Sequence, residues 1–146
     1  MYETYSTIVG RVISDPRRNR MANGDEVISF RMASNTRRRD RATGEWVDGN
    51  SLFLTVSCWR RLVAGVASAV EKGRPVIVHG AIHTNSYTTS GGESRTELEM
   101  IADSVGLDLA RCVVEYRGRG DVAAPQSADT QASGVAAPDD AAGAAA

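Results

Sequence analysis

Nine residues, SLFLTVSCW from Ser51 to Trp59, constrain the fold more than any other stretch of this chain. Successive side chains of a β-strand point to opposite faces, so the parity of a position sorts it. Leu52, Leu54, Val56 and Cys58 form one wholly apolar row; Phe53, Thr55, Ser57 and Trp59 form the other. The apolar row must be a core face. That leaves two aromatic rings on the opposite, polar side, where they need a use other than filling the interior.

The same test sorts four more segments. In VISFRMAS, Ile28, Phe30 and Met32 point inward, with Ser29, Arg31 and Ala33 outward. In VIVHGAIHTNSY, Val76, Val78, Gly80 and Ile82 are inward; Ile77, His79, Ala81, His83, Asn85 and Tyr87 are outward. In TELEMIADS, Leu98, Met100 and Ala102 oppose Glu97, Glu99 and Ile101. Tyr5 to Ile13 alternates less cleanly, as a strand buried at both ends would. Between Trp59 and Pro75 the period lengthens: Leu62, Val66 and Val70, with Val63 and Ala69 beside them, predict a helix. Gly73 stops it, and Lys72 falls in its last turn. Asn23–Gly24 and Gly91–Gly92 read as hairpin turns. Three strands, a helix and two strands in about a hundred residues fit an all-β fold with one helix. The leading candidate is a five-stranded antiparallel barrel of the oligonucleotide/oligosaccharide-binding type (OB-fold). Cys112–Arg117 offers an extra C-terminal strand.

Charge is unevenly spread. Residues 1–119 hold all 17 bases against 14 acids, a net +3, and every base but Lys72 is arginine. Residues 120–146 hold four aspartates and no base. That alanine-rich stretch has too little apolar area to offset the entropy of ordering it. The chain therefore divides into a domain over 1–119 and a disordered tail over 120–146. No apolar run approaches the ~20 residues of a membrane-spanning helix, and Met1–Thr7 lacks the apolar core of a secretory signal. Cys58 and Cys112 have neither metal-ligand spacing nor disulfide-scaffold density, and read as reduced, buried thiols. A cytoplasmic protein without a membrane partner is expected.

The outward residues make a pattern. Phe53, Trp59 and Tyr87 lie on the polar face with Arg31. Arg37, Arg38, Arg39 and Arg41 follow in what reads as a loop, with Trp46 packed near its end, and Arg60 and Arg61 follow Trp59. Unpaired bases stack on rings while cations track phosphates, so the pattern suits a single nucleic-acid strand. Taken singly, exposed strand aromatics also pair sheets between subunits, and arginine runs are commonly solvated surface. An RNA chaperone and a protein-assembly module, as in primosomal relatives, therefore stand as alternatives. Catalysis is not indicated. His79 and His83, four apart on a strand, stand about 13 Å apart and cannot share a metal ion. Cys58 is a core thiol, GGES lacks the GK[ST] of a phosphate loop, and Glu97 and Glu99 read as solvated edge residues. No metal or cofactor is implied.

Several motifs in sequence order resemble bacterial single-stranded DNA-binding proteins. They are VGRVISDPRRNRMANGDEVISFRMASN, RRDRATGEW, CWRRLVAGVASAVEKGRPVIVHGAIHTNSY and SGGESRTELEMIAD, spanning about Ile8 to Asp103. The resemblance implies sequence-independent binding of single-stranded DNA in replication, recombination or repair by a homotetramer associated with the nucleoid. It also implies that Phe53, Trp59 and Tyr87 stack on bases, and that Arg38 stands where many members carry a further stacking tryptophan. Arg41, Arg61 and Lys72 match positions that contact DNA. The tail ends PDDAAGAAA, without the acidic Pro-Phe tip through which the family recruits replication and repair enzymes, so the resemblance does not extend to that recruitment. A specialised actinobacterial paralogue fits this pattern, with Cys112–Arg117 as the strand that braces subunits.

Overall fold

A computed structural model of the chain describes residues 1–118. The chain divides into two units, Met1–Glu115 and Tyr116–Ala146, and the fold is that of the first. The expected tail over 120–146 lies outside the described residues.

The elements are β1 (Thr4–Val12), β2 (Arg17–Arg20), β3 (Glu26–Arg39), β4 (Trp46–Trp59), α1 (Arg61–Ala69), β5 (Pro75–Thr88) and β6 (Ser94–Leu107). They form one sheet in the order β1-β5-β6-β4-β3-β2, and a further β1–β3 pairing closes five of the strands into a barrel. Four of the five barrel contacts are antiparallel; β4 and β6 run parallel. Closure abolishes the sheet edges that would otherwise invite aggregation.

Parity sorted the core correctly. Ile8, Val12, Ile28, Phe30, Met32, Leu54, Val56, Cys58, Val76, Val78, Met100 and Ala102 are buried together, and Val63, Val66 and Val70 seal one end. Two exceptions have structural reasons. Leu52 is 42% exposed because β4 there has begun to leave the barrel with β3. Ala33, expected outward, is buried where β1 crosses β3, opposite Arg11. That crossing needs a bare backbone: a Cβ at Gly10 would run into the carbonyl oxygen of Ala33. Gly80 plays the same part on β5, facing the carbonyl of Ile101 beside a register shift between His79 and Gly80.

Other expectations need correction. Four-residue β2, RRNR, pairs with β3 across the Asn23–Gly24 turn and carries no apolar alternation by which to read it. The helix ends at Ala69, with Val70 extended, so Lys72 lies beyond it rather than in its last turn. Val70 keeps the core position its spacing suggested, but from extended backbone. Residues 112–117 form no strand, and Cys112 is only partly buried, its thiol donating to the Asp108 carbonyl (3.3 Å).

Of the arginine cluster read as a loop, only Arg41 lies in one, in the turn between β3 and β4. Arg37, Arg38 and Arg39 continue β3 and pair with Asp48, Val47 and Trp46 of β4, so the two strands project as a ribbon. Between barrel and ribbon the register slips: Asn35 faces Ser51 but Arg37 faces Asp48, so Gly49 and Asn50 together oppose Thr36. This is a β-bulge with the extra residue on β4. Thr36 Oγ1 donates to the Asn50 carbonyl (3.1 Å), and a Cβ on Gly49 would come within 2.6 Å of that hydroxyl.

Candidate nucleic-acid interface

Strand register brings the predicted residues together on the outer wall. Arg31 of β3 lies opposite Thr55 of β4, two pairs along, on the same face, from Ala33 and Phe53. Tyr87 of β5 lies opposite Arg95 of β6, with Glu97 at the next outward-facing position along β6. The result is an open groove of about 330 Å³ whose walls include Arg31, Phe53, Tyr87, Arg95 and Glu97. Phe53 is 52% and Tyr87 39% exposed, so both rings are presented rather than consumed by packing.

Glu97 joins the groove's walls. Its Oε1 accepts from Arg31 Nη1 and from the Tyr87 hydroxyl, both at 3.4 Å, and Arg31 Nη1 also donates to Thr55 Oγ1 at 3.3 Å. These are long, weak bonds that hold the side chains loosely in place. Glu97 and Glu99 are thus partly buried members of the outer face rather than freely solvated edge residues; Glu99 lies near His83 (3.9 Å).

Trp59 sits elsewhere. It shares the parity of Phe53, but six residues along a strand is about 20 Å. There it is half-buried, opposite Val27, where β4 turns into α1. Arg60 makes that turn with a left-handed φ of 51°. Its backbone N–H donates to the Glu26 carbonyl (3.1 Å), and its guanidinium donates to Asp25 Oδ2 (3.0 Å). That hydrogen bond holds the Asp25 carboxyl below its ordinary range. Glu26 is likewise lowered, by Arg20 and then Arg18.

The remaining cations fall into two groups. Arg37 leans on Asp48 (3.7 Å), and Arg39 Nε donates to the Gly44 carbonyl (3.0 Å). Arg38, Arg41, Arg61 and Lys72 are exposed and make no side-chain hydrogen bond or ion pair among the described residues. The guanidinium groups reasoned from position alone (Arg31, Arg37, Arg39, Arg60) are therefore those already engaged. The four that matched DNA-contacting or stacking positions are those left free.

One ring was misjudged. Trp46, read as loop packing, is 62% exposed at the first position of β4, paired with Arg39. By parity alone an even position of β4 belongs with the core row. The bulge moves it to the row that Arg37 and Arg39 continue from Arg31. Only the register slip reveals this, and the pair Gly49–Asn50 is its faint sequence sign.

A second exposed surface covers β1, β5 and β6. Val9 pairs with Ile77, while Tyr5 and Ile101 both lie opposite Ala81; all four large side chains are exposed. Tyr5 stacks on His79 (centroids 6.0 Å apart, planes at 21°), and Thr7 Oγ1 is 2.8 Å from His79 Nδ1. Tyr5 also donates to Glu3 (2.9 Å), which raises its pKa. Inside the barrel, burial pushes the Cys58 thiol up to about 12, as expected of an inert core thiol.

A closed five-stranded ring, sealed by one helix and carrying rings and guanidinium groups on its outer wall, defines an oligonucleotide-binding barrel. Residues 4–108 match the model of the single-strand binding protein family, and the chain belongs to that family. It is 41% identical over 120 residues to a single-stranded DNA-binding protein of Corynebacterium glutamicum, covering 81% of this chain and 53% of the relative. It is 43% identical over 123 residues to single-stranded DNA-binding protein 2 of Streptomyces coelicolor, covering 81% and 62%. The chain thus spans little more than half the length of these relatives. The crystal structure of a small single-stranded DNA-binding protein from Streptomyces coelicolor superposes with a TM-score of 0.70 at 34% identity, covering 77% of this chain and all of that one.

Proposed function

We propose that this protein binds single-stranded DNA without regard to sequence, as a non-enzymatic homotetramer that shields exposed strands during replication, recombination or repair. The carrying observation is the outer groove, where Phe53 and Tyr87 stand exposed beside Arg31. Rings offer every base a flat partner, and the free cations Arg38, Arg41, Arg61 and Lys72 supply phosphate contacts along the strand's course. Trp59 extends the stacking path along β4, and Trp46 on the ribbon adds a ring. Arg37, Arg39 and Arg60 join the phosphate contacts by exchanging weak surface pairings for phosphate oxygens. The apolar patch around Tyr5, Val9, Ile77 and Ile101 supports self-association. No helix among the described residues is long and apolar enough to cross a membrane, and a cytoplasmic, nucleoid-associated protein fits this role.

Titration with oligo-dT at two salt concentrations tests the proposal. Tight binding, quenching of tryptophan fluorescence and a log–log salt slope of about −0.7 per phosphate contacted are expected. Trp59→Ala should weaken binding by ~1–3 kcal/mol. Equal or stronger affinity for RNA would instead make the protein an RNA chaperone. No binding to either would make the aromatic face a protein-docking surface.

A further inference from the structure

We propose that the groove formed by Arg31, Phe53, Tyr87 and Glu97 is a guanine-preferring subsite within an otherwise sequence-tolerant face. This rests on the single-strand reading above and adds a base preference at one position.

The reason is a carboxylate where phosphate binding alone would have no use for one. Glu97 stands in the groove's wall beside Arg31, about one-third exposed, and repels any phosphate that approaches. Its Oε1 takes both intramolecular hydrogen bonds, while Oε2 makes none among the described residues. On Arg31, only Nη1 is engaged; Nη2 and Nε donate to nothing described. A ligand in the groove therefore meets a free acceptor and free donors side by side, next to two rings that make no ring contact with each other.

Unstacked bases in single strands are read along their Watson–Crick edges while their faces lie on aromatic side chains. A carboxylate is acceptor-only and suits two adjacent donors. Guanine alone offers that pair, N1–H and the N2 amino group, with the O6 acceptor beside it for the arginine. Thymine's single N3–H is flanked by two carbonyl oxygens, which the carboxylate would repel. Cytosine and adenine each set one amino donor next to a ring-nitrogen acceptor. The existing bonds at 3.4 Å are weak enough to yield to shorter, charge-assisted ones from a base.

The test is fluorescence anisotropy with a short dT oligonucleotide carrying at its centre one dG, one deoxyinosine or one further dT, at fixed salt. Hypoxanthine stacks much as guanine does and keeps N1–H and O6, so it isolates the N2 amino contact. The dG oligonucleotide should bind roughly tenfold more tightly than the inosine one, the scale of one hydrogen bond to a charged group. Glu97→Gln should bring that ratio close to one, whatever it does to dT binding. Equal affinities for dG and inosine in the unmodified protein, or a ratio that survives Glu97→Gln, would overturn the subsite while leaving DNA binding intact. That result would assign Glu97 to holding Arg31 and Tyr87 in place. If none of the oligonucleotides binds, the single-strand reading fails first and the subsite with it. The dG-to-inosine comparison needs no variant, so it stands even if Glu97→Gln folds poorly.

Discussion

Phe53 and Leu54 are neighbours in sequence with opposite fates, and truncating each to alanine should damage a different property. Phe53 is 52% exposed on the outer wall, so Phe53→Ala removes few core contacts and should leave stability within about 0.5 kcal/mol. It removes a stacking surface worth ~1–3 kcal/mol per base, so oligo-dT affinity should fall roughly 5- to 150-fold. Leu54 is 0% exposed in the barrel's core, beside the buried side chain of its β3 partner Met32. Leu54→Ala leaves a cavity costing ~2–5 kcal/mol. At about 4 °C per kcal/mol for a unit of this size, the Tm should drop by roughly 8–20 °C. Thermal melts by circular dichroism, at one protein concentration because assembly makes Tm concentration-dependent, measure the second effect. Anisotropy titration well below both melts measures the first. The face assignment fails if Phe53→Ala melts as low as Leu54→Ala while keeping its affinity.

Replacing Arg38 and Arg41 together by alanine should reduce the log–log salt slope of oligo-dT binding by about 1.4, at ~0.7 per lost phosphate contact; an unchanged slope would mean the ribbon lies off the strand's path. Gly80→Val should destabilise the barrel by ~1–3 kcal/mol, because its side chain meets the Ile101 backbone; chemical denaturation that leaves the midpoint unmoved would contradict the tight β5–β6 approach. Near pH 8 a thiol reagent should modify Cys112 in the native protein and reach Cys58 only after unfolding, which timed mass spectrometry would resolve. Folding raises the Cys58 pKa from 9.0 to about 12, so the sign is fixed. Its contribution to stability is complete below pH 9 and is lost as pH rises towards 12; a stability that instead increased over that range would refute the buried-thiol assignment.

The barrel was legible in the sequence because its core depends on period-two alternation. Leu54–Val56–Cys58 and Val76–Val78 declared their inward face without any structure. What alternation does not encode stayed hidden. β2 and the ribbon end of β3 are polar on both sides, since neither covers a core, and they are held by backbone pairing and surface ion pairs rather than by apolar burial. Val70 obeyed helical spacing yet reached its core position from extended backbone, because spacing fixes where a side chain lands and not how the chain gets there. The rings Phe53 and Tyr87 were found because parity left them stranded outside. Trp46 was missed because a bulge switched its row. Glu97 was passed over as ordinary surface, since its partners, Arg31 and Tyr87, come from two other strands.

The bulge opposite Thr36 carries a larger consequence than its single extra residue suggests. Deleting either Gly49 or Asn50 would restore an uninterrupted ladder with the same cross-strand pairs, Arg37 with Asp48 and Arg39 with Trp46. Trp46 and Asp48 would keep their row and the barrel below its register, but the local bend and added twist that a bulge gives a strand would be lost. The same chemical groups would remain on the ribbon, carried on an arm that leaves the barrel at a different angle. Evolution or an engineer could thus change which surface the arm addresses by altering chain length at one site, without touching a residue of the interior.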